Sequence, residues 1–156
     1  FLTLKYAYQS APYYRDFEPA LAEIFDARWE RLSDLNVKLI DFCRDALGIR
    51  TPMVASSSLK ISGSKSDMVL NLCREAGADV YLSGDGASRS YLDVPAFERA
   101  GIRVLWQKFE QPRYRQYPSC DVFVENLTAL DLIFNCGPRS PEIFRGRSLP
   151  LVEAVV

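Results

Sequence analysis

A Rossmann-like α/β fold, with a mainly parallel sheet flanked by helices, is what this sequence predicts, on three observations. The β-favouring runs Val80-Tyr81-Leu82 and Ile102 to Phe109 each follow a helical stretch closed by a glycine, Gly77 and Gly101 respectively. A third apolar run, Ile49 to Ala55, follows Gly48 in the same way. Strands that each come after a helix favour a parallel sheet over a sandwich or a bundle. Finally, Val80-Tyr81-Leu82 runs straight into Ser83-Gly84-Asp85-Gly86, where two close glycines can take backbone angles closed to other residues. Ligands of open α/β sheets bind beyond the carboxyl ends of the strands, so this loop is the leading candidate site.

Before the first of these strands the chain is helical or ambiguous. Leu2, Leu4, Tyr6 and Tyr8 alternate like a strand, while Leu4, Tyr8 and Ala11 also fit one helical face, so both types stay open for residues 1–14. From Glu18 to about Leu32, Leu21, Ile24, Phe25 and Trp29 recur at helical spacing, with Pro19 placed for a first turn. Ser33 is placed to cap a second helix, whose stripe of Leu35, Leu39, Phe42, Cys43 and Leu47 ends at Gly48. Pro52 then confines any strand over 49–55 to a late start or a sheet edge.

Leu59 to Ser66 reads as a polar loop entering a helix over Lys65 to Ala76 with Met68, Val69, Leu72 and Cys73 inward. Ser64 or Ser66 can cap that helix, and with Lys60 and Lys65 its free amides could hold an anion, although a plain capped start explains the same residues. Asp79 to Leu82 is the next strand, Ala96 to Ala100 a short helix after an Asp93 cap, and Ile102 to Phe109 the strongest strand. Arg113, Tyr114, Arg115 and Tyr117 fall in an irregular, proline-bearing segment. They could stack on a base or sugar, but a solvated loop is the stronger reading. Asn126 or Thr128 can cap a last helix with Leu127, Leu130, Ile133 and Phe134 inward, stopped by Gly137-Pro138. The apolar tail, Leu151-Val152 and Val155-Val156, is placed to add an edge strand or to meet a partner.

Composition bounds the function. The 156 residues are 48% hydrophobic and 25% charged, which fits one ordinary globular domain. Nineteen basic against twenty acidic residues leave a formal charge of -1 without long runs of either sign, so a nucleic-acid partner is not expected. No apolar run reaches the ~20 residues of a membrane span. Cys43, Cys73, Cys120 and Cys136 lack any CxxC pairing, which argues against a zinc site and suits a reducing cytoplasm. The absence of histidine removes serine–histidine and cysteine–histidine mechanisms, leaving Asp, Glu, Lys, Tyr or Cys for any acid–base work. The chain begins on Phe1 rather than methionine, and we expect it to be the C-terminal part of a longer protein.

Around the sheet edge, the amides of Gly84 and Gly86 could bind an anion and Arg89 could pair with a phosphate. Asp85 could accept a sugar hydroxyl, with Ser83, Ser88 and Tyr91 converging beside it. A turn with Asp85 as its local acceptor explains the same residues. Gln107 and Glu110 close the strongest strand near the same edge, Glu110 as a candidate base and Gln107 as an orienter. Asp131 and Asn135 stand four apart, on one helical face opposite or beside the apolar one. Asp85 and Glu110 are thus the catalytic candidates, and the others are candidates for substrate binding. No cofactor can be named and no metal site is expected.

With these residues in place, the chain resembles the WbqC-like protein family. The likeness rests on GADVYLSGDGASRSYLD and FERAGIRVLWQKFE within Ala76 to Glu110, and on LTALDLIFNCGP from Leu127 to Pro138. It implies a bacterial, cytoplasmic transferase of surface-polysaccharide (O-antigen) or amino-sugar biosynthesis, binding a nucleotide-linked sugar or an activated acyl donor. The recurring DLxFNxG pattern implies a role for Asp131 and Asn135. Two departures stand out: the family's opening segment, roughly HQPxYxPWxG, is missing, and Arg113 to Val122 is longer and more basic than the family's stretch. A non-catalytic ligand-binding or assembly domain is the alternative, and self-association into a homo-oligomer stays open.

Overall fold

The structure is a computed structural model that describes residues 1–118, 122–146 and 151–153. They fall into two compact units, one drawn from 1–51 and 111–147, the other from 52–110 and 148–156. Cys120, Pro150, Val155 and Val156, on which sequence expectations bear, lie outside the described residues.

The first unit is helical. It contains α1 (Leu2–Tyr8), α2 (Tyr14–Asp26), α3 (Leu32–Ala46), and, after the second unit intervenes in sequence, a later helix and a short partner. The ambiguous beginning of the chain is therefore helix. Proline at 19 does not open α2 but sits inside it. Trp29 lies past the end of that helix, where its indole Nε1 donates to the Ile24 carbonyl at 2.7 Å. Ser33 is not the cap of α3; Arg31 holds that position, and the Ser33 hydroxyl donates to Asp34 instead.

The second unit holds α4 (Lys65–Glu75), β1 (Val80–Gly84), α5 (Val94–Arg99), β2 (Arg103–Gln107) and β3 (Leu151–Glu153). The strand expected over Ile49–Ala55 does not form, and a single 3-10 turn, Ser56–Ser58, follows the irregular stretch. Pro52 has no N–H to give a ladder, and Met53 and Val54 remain exposed, so the run has no buried face to hold it in a sheet. The sheet has three strands in the order β1-β2-β3. β1 and β2 pair in parallel, joined through α5, and the tail strand β3 adds antiparallel to β2. The architecture is thus mixed α/β with a small parallel pair. Its core is Leu70, Cys73, Phe97, Ile102, Val104 and Trp106, with Tyr81 stacked on Phe97 at 5.5 Å. Leu70 is buried in α4 while Met68, expected inward, is exposed.

Two further helices, α6 (Ala129–Cys136) and α7 (Ser140–Arg145), return to the first unit. Five consecutive residues of α6, Asp131 to Asn135, are buried, so the helix is enclosed on all sides rather than on one stripe. Phe134 is the hub of the core, meeting Tyr8 and Tyr14 edge to face at 5.1 and 5.2 Å. Leu127, expected inward, precedes the helix and is exposed.

Candidate functional site

In the second unit, parallel pairing brings the carboxyl ends of β1 and β2 together: Ser83 lies opposite Trp106 and Gly84 opposite Gln107. The chain leaves β1 through Asp85 and Gly86 into a 3-10 turn, Ala87–Ser90, which swings Ser88 and Arg89 back to this edge. The Ser83 hydroxyl, itself buried, donates to the Ser88 hydroxyl at 2.9 Å, and Ser88 donates onward to the Gly84 carbonyl at 2.8 Å. Arg89 pairs with Asp85, and its guanidinium lies 4.6 Å from the centroid of the Trp106 ring. Neither Gly84 nor Gly86 has a positive φ, Gly86 standing at φ -141° and ψ -135°, and a Cβ on either would meet nothing within 4 Å. Their value is a bare backbone facing open space. Tyr91, farther along, lines a shallow cavity of about 220 Å³ with Lys65, Met68 and Val69.

The expected caps divide. Asp93 does cap α5, accepting from the Ala96 amide at 3.2 Å. Neither Ser64 nor Ser66 caps α4 through its side chain; the Ser66 hydroxyl instead accepts the Asp93 amide at 2.8 Å, tying two helix entrances together. Gln107 stands at the edge, whereas Glu110 lies beyond the end of β2 in exposed, irregular chain. No nucleophile–base pair is assembled among these side chains. The edge can bind by charge, hydroxyls and exposed amides.

Asp131 and Asn135 belong to the first unit, whereas the sheet edge belongs to the second. Both are buried, contrary to a place beside the apolar face. Asp131 accepts from the Tyr114 hydroxyl at 2.7 Å, from Gln116 Nε2 at 2.8 Å and from Asn135 Nδ2 at 3.2 Å. Asn135 accepts the Tyr117 amide at 2.9 Å, while Gln116 both donates to the Val124 carbonyl and accepts from the Val124 amide. The Arg113–Tyr117 segment is therefore no freely solvated loop: hydrogen bonds from three of its residues fasten it to α6. Sequence reasoning missed Gln116, and no local signal marks a glutamine as a buried bridge.

Cys136 ends α6 half-buried. Burial pushes its thiol up from the ordinary range; nearby Arg139 opposes this and Asp131 adds to it, and burial prevails. A thiol that holds its proton at neutral pH is a poor nucleophile. Among the described residues, no group of three His, Cys, Asp or Glu side chains could hold a metal ion, and no helix is long and apolar enough to cross a membrane.

A mixed α/β protein with a small parallel strand pair is the class these features define. The chain belongs to the WbqC-like protein family, whose model matches residues 1–143. A relative from Mycobacterium tuberculosis (strain ATCC 25618 / H37Rv), the "Uncharacterized protein Rv1507c", is 33% identical over 144 residues, covering 91% of this chain and 61% of the relative. The chain thus spans less than two thirds of that curated relative. No solved structure gives a significant match.

Proposed function

We propose that this chain is part of a cytoplasmic transferase of bacterial surface-polysaccharide (O-antigen) or amino-sugar biosynthesis, holding a nucleotide-linked sugar or an activated acyl donor at the β1–β2 edge. The single observation that carries the reading is the loop leaving β1, where Gly84 and Gly86 leave open space above a parallel strand end. Arg89, steadied by Asp85 and Trp106, supplies a guanidinium for a phosphate, and Ser83, Ser88, Tyr91 and Gln107 supply hydroxyl and amide groups for a sugar. Catalysis in this reading comes from positioning and electrostatics, with Asp85 and Glu110 as the carboxylates available. Asp131 and Asn135 serve the other unit's scaffold.

The test is thermal denaturation with nucleotide sugars, nucleotides and acyl-coenzyme A, because a ligand bound by the native state raises the melting temperature. A rise in the wild-type protein that vanishes in Gly86→Val, at unchanged ligand-free melting temperature, is expected. A panel that leaves the wild type unmoved would overturn it. A second reading, a non-catalytic ligand-binding or assembly domain, is favoured by the inward-turned hydrogen bonds of Ser83 and Ser88 and the absence of histidine. Ligand binding without turnover in the full-length protein would select it.

A further inference from the structure

The first unit holds a separate cavity of about 320 Å³, lined by Tyr13, Tyr114, Cys136 and three arginines, Arg113, Arg115 and Arg139. That volume is at the small end of ligand pockets, room for a phosphate or pyrophosphate with little more than one ring. No acidic side chain is among the described residues that line it. Two of the cations are braced on aromatic faces: Arg113 stands 5.6 Å from the Phe123 ring centroid and Arg115 4.7 Å from that of Tyr117. Arg113 also reaches Glu125 at 3.3 Å in an exposed pair, and Glu125 is not among the residues that line the cavity. Arg139 stands at the α6–α7 junction and forms no ion pair among the described residues.

We infer that this cavity is a binding site for the phosphate or pyrophosphate group of a small phosphorylated ligand, held by Arg113, Arg115 and Arg139. Three arginines line one concavity, and guanidinium forks match the oxygen geometry of phosphate better than point charges would. Bracing on rings reduces the conformational freedom lost on binding. The site is also anchored from beneath, since Tyr114 is fixed through its hydroxyl to Asp131 and Asn135 lines the wall. The inference is independent of the proposed use of the β1–β2 edge.

The experiment is calorimetric titration of the whole chain with inorganic pyrophosphate and with ADP, in the wild type, the double variant Arg113→Gln/Arg139→Gln, Gly86→Val, and Arg50→Gln. Arg50 pairs with Asp45, neither residue lines the cavity, and Arg50 is the charge control. Saturable binding, weakened by about ten-fold or more in the double variant, unchanged in Arg50→Gln and weaker at higher salt is expected, and any component that Gly86→Val removes while the double variant keeps it belongs to the β1–β2 edge. Equal affinity for both probes identifies the anion alone as the ligand, while tighter ADP binding adds a contribution from the ring. Peptide mapping gives a second readout: bound pyrophosphate should slow alkylation of Cys136 and leave Cys43 unaffected. No saturable binding below about 5 mM, or binding that survives the double substitution combined with Gly86→Val in a folded protein, overturns the inference.

Discussion

The Tyr114 hydroxyl donates to the buried Asp131 carboxylate at 2.7 Å, across seventeen positions of sequence. Asp131 is only 2% exposed, so each donor it receives replaces water it has lost. Tyr114→Phe should therefore cost about 1.5–3 kcal/mol of stability, the range for a hydrogen bond to a buried charge. Gln116→Ala should cost about as much or more, because it also frees both backbone groups of Val124. Urea denaturation measures both; a loss below about 0.5 kcal/mol in each would show that the network is not holding the segment.

Tyr14 presents the opposite case. It is 1% exposed and its hydroxyl has no hydrogen-bond partner among the described residues. Tyr14→Phe keeps the edge contact with Phe134 and removes the stranded group. The variant should be between equally stable and about 1 kcal/mol more stable than the wild type. A clear drop in melting temperature would contradict this.

Gly137 turns the chain out of α6 at φ +50°, and a Cβ there would fall 2.4 Å from the Tyr13 ring. Gly101 also has positive φ, +75°, but faces open space. Gly101→Ala should cost about 1 kcal/mol from backbone alone, and Gly137→Ala about 3 kcal/mol or more from backbone and clash together. Parallel denaturation of the two variants checks the order.

Tyr8 is pushed up to about 12, first by burial and then by the charge and hydrogen-bonding influence of Asp131. A phenol whose folded value lies above its unfolded value of about 10 is held neutral by the fold. Its contribution to stability is complete below about pH 10 and disappears as pH rises toward 12. Absorbance titration of the phenolates should show a late-titrating tyrosine that is missing in Tyr8→Phe, and the stability of that variant should fall less steeply between pH 10 and 12.

Local chemistry wrote much of this structure directly into the sequence. The stop at Gly48, the turn at Gly77, the Asp93 cap and the β-rich run ending near Gln107 are all where pattern places them, because each depends on a few neighbouring residues. The loop after β1 was legible for the same reason, and its two glycines leave open space at the strand end.

Other features exist only through contacts remote in sequence. Asp131 and Asn135 share a helical face that pattern sets opposite or beside the apolar one, yet both are buried, and donors fifteen and seventeen residues earlier make the burial of Asp131 tolerable. The apolar run over 49–55 had strand composition but found no sheet partner, while a three-residue tail strand did. Arginines from an irregular segment and from a helix junction meet around one cavity that no spacing rule could announce. Capping, turning and periodicity act within a turn or two of chain and were readable in advance. Burial of a polar group, pairing of a strand and convergence of charges are decided by which distant segments pack together.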